Sequence, residues 1–186
     1  MRALDRQTCR KRRFPGNVLS DLFSCKGAGR LQVAPFPFAH ELTPGETYAP
    51  LQFRISPEIN QQFLFALEDY RQECVGSQGR PAIVHPVLLL HMSARTRSPS
   101  FRLAAGIGSV FARDVVEFSR PALVDEPLTV RWTIREVYER RGRLYQALDT
   151  VVINDDGQQV LRREAHSVFF TDSGVHLAMP TSGAAS

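Results

Sequence analysis

Ala82-Ile-Val-His-Pro-Val-Leu-Leu-Leu-His-Met92 is apolar on nearly every side, with Pro86 standing where a helix can begin. Proline suits the first helical position because its fixed φ is already helical and its missing N–H is a donor that a helix leaves unpaired anyway. A helix that is apolar all round must be buried on most of its sides. What covers it follows in the chain. Beyond the polar stretch 93–100 the period changes to two: Val115, Glu117, Leu128, Val130, Trp132 and Ile134 alternate with residues of the opposite character, and 144–153 and 160–170 continue in the same style. Arg140-Arg141-Gly142 closes one hairpin and Asn154-Asp155-Asp156-Gly157 the next. The second half therefore reads as an antiparallel meander of four strands, and a sheet curled round one buried helix is an α+β arrangement.

Upstream, residues 41–52 hold the turn Thr43-Pro44-Gly45-Glu46 followed by a short apolar stretch, which supplies a first strand. Ser56 is a good N-cap and Pro57 suits the first helical turn. Apolar residues at Ile59, Phe63, Ala66, Leu67, Tyr70 and Cys74 then predict one amphipathic helix with that face inward, ended by Gly76, Gly79 and Pro81. Phe36 and Phe38 belong to an extended arm expected to pack on the sheet.

The 186 residues, 43% hydrophobic, suffice for one sizeable core and one domain. A pI near 9.3 raises the question of a nucleic-acid partner, and the position of the charge answers it. Residues 1–30 carry eight bases against two acids, whereas the remainder carries fifteen bases and seventeen acids, so the body offers no phosphate-binding surface. Both lysines, Lys11 and Lys26, lie in that leader. The composition divides the chain into a basic leader (1–30), one domain (31–172) and a frayed tail (173–186). The leader is expected to be upstream sequence translated from an early start codon, rather than a basic arm or a targeting sequence. Residues 14–23 are interrupted by Pro15, Gly16, Asn17, Ser20 and Asp21, which does not suit a secretory signal, and no stretch is long enough to span a membrane. Cys9, Cys25 and Cys74 match no zinc spacing, which points to a reducing cytoplasm without structural disulfides.

The segment Phe118-Ser-Arg-Pro-Ala-Leu-Val-Asp-Glu-Pro-Leu-Thr-Val-Arg-Trp132, then Arg135-Glu-Val-Tyr-Glu-Arg-Arg-Gly-Arg143 and Asn154-Asp-Asp-Gly157, resembles the C-terminal strands of the MaoC-like acyl-thioester dehydratases and hydratases. Gly79-Arg-Pro-Ala-Ile-Val-His-Pro86 is similar to that family's approach to its central helix, with Pro86 where a glycine is common. The resemblance covers about residues 56–170. It implies a hot-dog fold, an antiparallel sheet wrapped around a central helix. It also implies activity on enoyl or 3-hydroxyacyl thioesters of coenzyme A or acyl carrier protein, without metal or other cofactor, in a homodimer or a hetero-oligomer with a hot-dog paralogue.

Adding water across a carbon–carbon double bond calls for a base to activate water and an acid to protonate the α-carbon. Members of the family carry an aspartate and, five positions later, a histidine. The aspartate falls on Asp69, and Cys74 stands where the histidine would be. A histidine to complete the pair is at hand in His85, at the start of the buried helix. Asp69 and His85 are thus the candidate catalytic residues, with Tyr70, Cys74, Val84 and Pro86 expected to line the substrate groove. The competing readings are a solvated acid at a helix end for Asp69, a capping or core histidine for His85, and a small buried hydrophobe for Cys74. His91 falls off the His85 face, His166 sits in a strand, and Arg140, Arg141 and Arg143 read as solvated hairpin charges rather than coenzyme A contacts. Two further functions fit the same residues: a non-catalytic subunit that binds acyl chains or partners a catalytic paralogue, and a thioesterase whose carboxylate activates water against the thioester carbonyl.

Overall fold

The computed structural model describes residues 36–77, 79–171, 173–174 and 177; the expectations for the leader 1–30, with Cys9 and Cys25, and for the rest of the tail lie outside them. The elements run β1 (Thr47–Phe53), α1 (Pro57–Leu67), α2 (Gln72–Val75), α3 (Pro86–Met92), a 3-10 turn (Arg95–Arg97), β2 (Ile107–Phe118), β3 (Leu128–Arg140), β4 (Arg143–Asn154) and β5 (Gln159–Thr171). The strands form one antiparallel sheet in the order β1-β3-β4-β5-β2. This is the α+β hot-dog arrangement, with α3 against the inner face.

The period of two in β3 and β4 places Leu128, Val130, Trp132 and Ile134 beside Leu144, Leu148 and Val152 on that inner face, and Leu88 and Leu89 of α3 join them in one core. Trp132 is fully buried, and its indole N–H donates to the Ser93 carbonyl at 2.8 Å, which fixes the C-terminal end of α3 to the sheet. The arm reaches the same core: the Gln146 side chain, 1% exposed, donates to the Ala39 carbonyl at 2.9 Å. Phe38 stacks on His40 with ring centroids 6.0 Å apart. Near the tail, Leu177 packs on the core and its carbonyl accepts from the Leu144 amide at 2.6 Å.

Three expectations are corrected. The last four strands are not a continuous meander: β3, β4 and β5 are, but β2 pairs with β5 on the far edge. The connection 119–127 is too long for a tight hairpin, and it is held instead against residues 82–84 by the Val84 amide on the Ala122 carbonyl and the Val124 amide on the Ala82 carbonyl. The helix expected from Pro57 to Cys74 stops at Leu67, because Glu68 turns into the left-handed region (φ 54°) and its N–H caps the Leu64 and Phe65 carbonyls. Its buried residues are Asn60 and Leu64, while Ile59, Leu67 and Tyr70 are exposed. Finally, α3 is covered on fewer sides than its composition suggests, since Val87 and His91 face outward.

Candidate active site

The abrupt end of α1 throws Asp69 and Arg71 into a short loop before α2. Asp69 Oδ1 accepts the Arg71 backbone N–H at 3.3 Å, a local Asx turn, and the Arg71 guanidinium folds back so that Nε lies 3.1 Å from both carboxylate oxygens. The other side of the site is the start of α3. His85 is its N-cap, with Nδ1 accepting the Val87 N–H at 3.2 Å. A neutral imidazole that accepts at Nδ1 carries its proton on Nε2, and that nitrogen lies 3.2 Å from Asp69 Oδ2. The hydrogen-bonding pattern thus makes His85 the donor and Asp69 the acceptor. Arg71 Nη2 lies 3.0 Å from the same ring nitrogen, but a guanidinium only donates and cannot bond a protonated Nε2, so its partner is the carboxylate at 3.0 Å.

Asp69 and His85, sixteen residues apart in sequence, are therefore in direct contact. The side chains differ in access: His85 is 7% exposed, Asp69 30% and Arg71 49%. The hydrogen bonds from Arg71 chiefly, with a smaller contribution from His85, hold the Asp69 carboxyl below the usual carboxylate range.

Asn60 and Arg71 escaped the reading of the sequence. Asn60 is 1% exposed on α1, where its Oδ1 accepts the His85 backbone N–H at 3.1 Å. Its amide donates to the Cys74 carbonyl at 3.0 Å and to the Ile83 carbonyl at 3.4 Å. One buried amide thereby ties α1, α2 and the start of α3 together. The available signal was a polar residue one helical turn before Leu64 and one after the Ser56 cap, a position that faces inward by helical spacing. For Arg71 the signal was a guanidinium two residues after a candidate acid.

The other candidates are placed as follows. Val84 and Pro86 line a cavity of about 340 Å³ with Leu89, Phe118 and Pro121. Cys74 lines a different one, of about 230 Å³, with Asn60 and Val124. Its side chain is buried and burial pushes the thiol pKa up, so it is a neutral thiol rather than a thiolate. Tyr70 is 58% exposed beside Asp69. His91 is held from the site by Phe63, whose ring lies 5.3 Å from His85 and 6.3 Å from His91. His166 belongs to a separate network on the sheet, between Tyr138 Oη and Glu164 Oε1 at 2.8 Å each. Arg140, Arg141 and Arg143 are exposed at the hairpin tip. Among the described residues no three His, Cys, Asp or Glu side chains are grouped so as to hold a metal ion, and no helix is long and apolar enough to cross a membrane.

The first two positions of α3 offer no free amide to polarise a carbonyl. Pro86 has no N–H, and the Val87 N–H is taken by the His85 ring. The exposed cation of the site is Arg71.

No protein-family model matches the sequence, and no curated protein matches it. Solved structures do match in fold. A monoamine oxidase regulatory protein from Archaeoglobus superposes with a TM-score of 0.61 at 14% identity, covering 71% of this chain and 93% of that one. A MaoC-like dehydratase from Rhodospirillum rubrum gives 0.58 at 16%, covering 73% and 97%. The HadBC 3R-hydroxyacyl-ACP dehydratase complex from Mycobacterium tuberculosis gives 0.57 at 20%, covering 69% and 97%. The chain has the hot-dog fold of these proteins, and the resemblance to MaoC-like proteins read from residues 56–170 holds at the level of fold.

Proposed function

We propose that the protein hydrates enoyl thioesters, or dehydrates 3-hydroxyacyl thioesters, of coenzyme A or acyl carrier protein, with Asp69 and His85 as a rebuilt acid–base pair. The observation that carries the reading is the 3.2 Å contact between Asp69 Oδ2 and His85 Nε2, with the ring held in one tautomer by the Val87 amide. In the hydration direction ionised Asp69 takes a proton from water as its oxygen bonds to the β-carbon. That proton, held between Asp69 and the His85 ring, then passes to the α-carbon, so that the carboxylate and the neutral imidazole end as they began. Arg71, half exposed beside the pair, polarises the thioester carbonyl in place of the helix amides. Val84 and Pro86, which share a cavity with Leu89 and Phe118, flank the bound acyl group, while Cys74 and Tyr70 lie outside that cavity. The setting is a reducing cytoplasm, in fatty-acyl metabolism, and the chain works as a dimer or with a hot-dog paralogue.

A specific observation favours a second reading, a non-catalytic subunit that binds acyl chains or partners a catalytic paralogue. Cys74 replaces the expected histidine, and the first two positions of α3 offer no free amide. The test is hydration of short trans-2-enoyl-CoA, followed by loss of the conjugated thioester absorbance, for the wild type beside Asp69→Asn and His85→Ala. Turnover lost in both folded variants supports the pair. No turnover in the wild type at any chain length sinks it and makes the paralogue the next target.

A further inference from the structure

Arg95 follows α3 in the 3-10 turn, yet its side chain points into the core and the residue is 5% exposed. A guanidinium taken out of water ordinarily meets a carboxylate, because its desolvation is otherwise offset only in part. The partners of Arg95 are all neutral. Nη1 donates to Gln146 Oε1 and Nη2 to Ser109 Oγ, each at 3.1 Å, and the Phe101 and Phe169 ring centroids lie 5.7 and 5.6 Å from Cζ. Among the described residues no acidic side chain lies within ion-pair distance of it. The cation whose field acts on it is Arg163, a like charge that is itself matched by Asp114 at 2.6 Å.

Two hydroxyl donors stand at the same place. Tyr48 is 3% exposed and its hydroxyl oxygen stands beside the Arg95 guanidinium, which can only donate to it, so that the Oη proton has no acceptor among the described residues. Ser109 Oγ accepts from Arg95 and so keeps its own proton to give. Ser109 is half-buried on the edge strand β2, so this end of the group borders the surface.

From a buried cation without a counter-ion among the described residues and two adjacent unused O–H donors, we infer that Arg95, Tyr48 and Ser109 form a binding point for a carboxylate brought by a ligand. One carboxylate oxygen accepts from Arg95 and Ser109, the other from Tyr48. Its place sets what carries it. His85 precedes and Arg95 follows α3, whose seven residues span about 10 Å. On the acyl-thioester reading above, on which this source rests, the carboxylate is the far end of the acyl group, and the substrate is a medium-length dicarboxylic acid monothioester. The other source of the same chemistry is a free carboxylic acid.

The test is calorimetric titration of the full chain with saturated probes that cannot be hydrated: ω-carboxyacyl-CoA against length-matched simple acyl-CoA, and free dicarboxylates of the same lengths. The wild type is expected to bind the ω-carboxylated thioester at least about tenfold more tightly. Tyr48→Phe and Ser109→Ala, which preserve the shape of the core, should each shrink that preference, and Arg95→Met should abolish it if it folds by circular dichroism. Binding of free dicarboxylate that weakens in the same variants, with no preference among thioesters, supports the site and assigns it to a separate acid. No carboxylate-dependent binding in the wild type, or a preference that survives Tyr48→Phe and Ser109→Ala unchanged, overturns it. These probes do not turn over, so a protein that shows the preference but hydrates nothing keeps this site and loses the catalytic reading.

Discussion

The site rests on how one carboxylate is shared. Arg71 holds Asp69 ionised, and a group whose folded-state pKa is depressed stays charged until the pH falls through that lowered value. The acid limb of the pH–rate profile is therefore expected below the usual carboxylate range, where protonation of Asp69 removes the base. Arg71→Gln deletes the chief cause of the depression, so the acid limb should move to higher pH, with kcat reduced as well if the guanidinium polarises the carbonyl; an unmoved limb would remove Asp69 as the titrating base. Asn60 acts one step further back. Asn60→Ala would leave the His85 N–H and the Cys74 and Ile83 carbonyls without their partner, at a cost of about 2 kcal/mol or more in urea unfolding. Because the same bonds aim His85, kcat should fall by more than the lost stability alone explains, with KM little changed.

At the scale of elements, the join between α3 and the sheet is a single indole hydrogen bond inside a packed core. Trp132→Phe keeps most of the packing but orphans the Ser93 carbonyl, and a loss of about 1–3 kcal/mol in denaturant unfolding is expected. The elements themselves were largely legible. Strand alternation, the two hairpin turns and the Ser56-Pro57 and Pro86 helix starts all stand at the expected places, because those signals are local. What the chain order did not carry was non-local. The pairing of β2 with β5 depends on the 119–127 segment bonding back to 82–84, which no periodicity records. The inward face of α1 was misread for a related reason. Asn60 is buried because backbone groups of two other segments need its amide, whereas Ile59 and Leu67 are apolar but exposed. Asp69 and His85 were readable as residue types with complementary roles, but their contact depends on the helix ending at Glu68, a left-handed turn at a residue with no strong preference for it.

For the whole molecule, β2 is an edge of the sheet and exposes Val110, Phe111, Val115 and Phe118. An edge strand with exposed apolar side chains is a template for another strand, and a second chain of this fold is the partner proposed for it. Sedimentation should give a dimer, and the paired change Val110→Lys with Val115→Lys should shift it to monomer without unfolding; an unshifted dimer would place the interface elsewhere. The central claim, that this fold carries a working Asp69–His85 pair, is tested most directly by the product. A trans-2-enoyl-CoA incubated with the protein in heavy water and followed by NMR should yield the 3-hydroxyacyl thioester with deuterium at the α-carbon, formed by the wild type and not by Asp69→Asn. Recovery of unchanged enoyl thioester, or of free acid and coenzyme A thiol as a thioesterase would give, would contradict it.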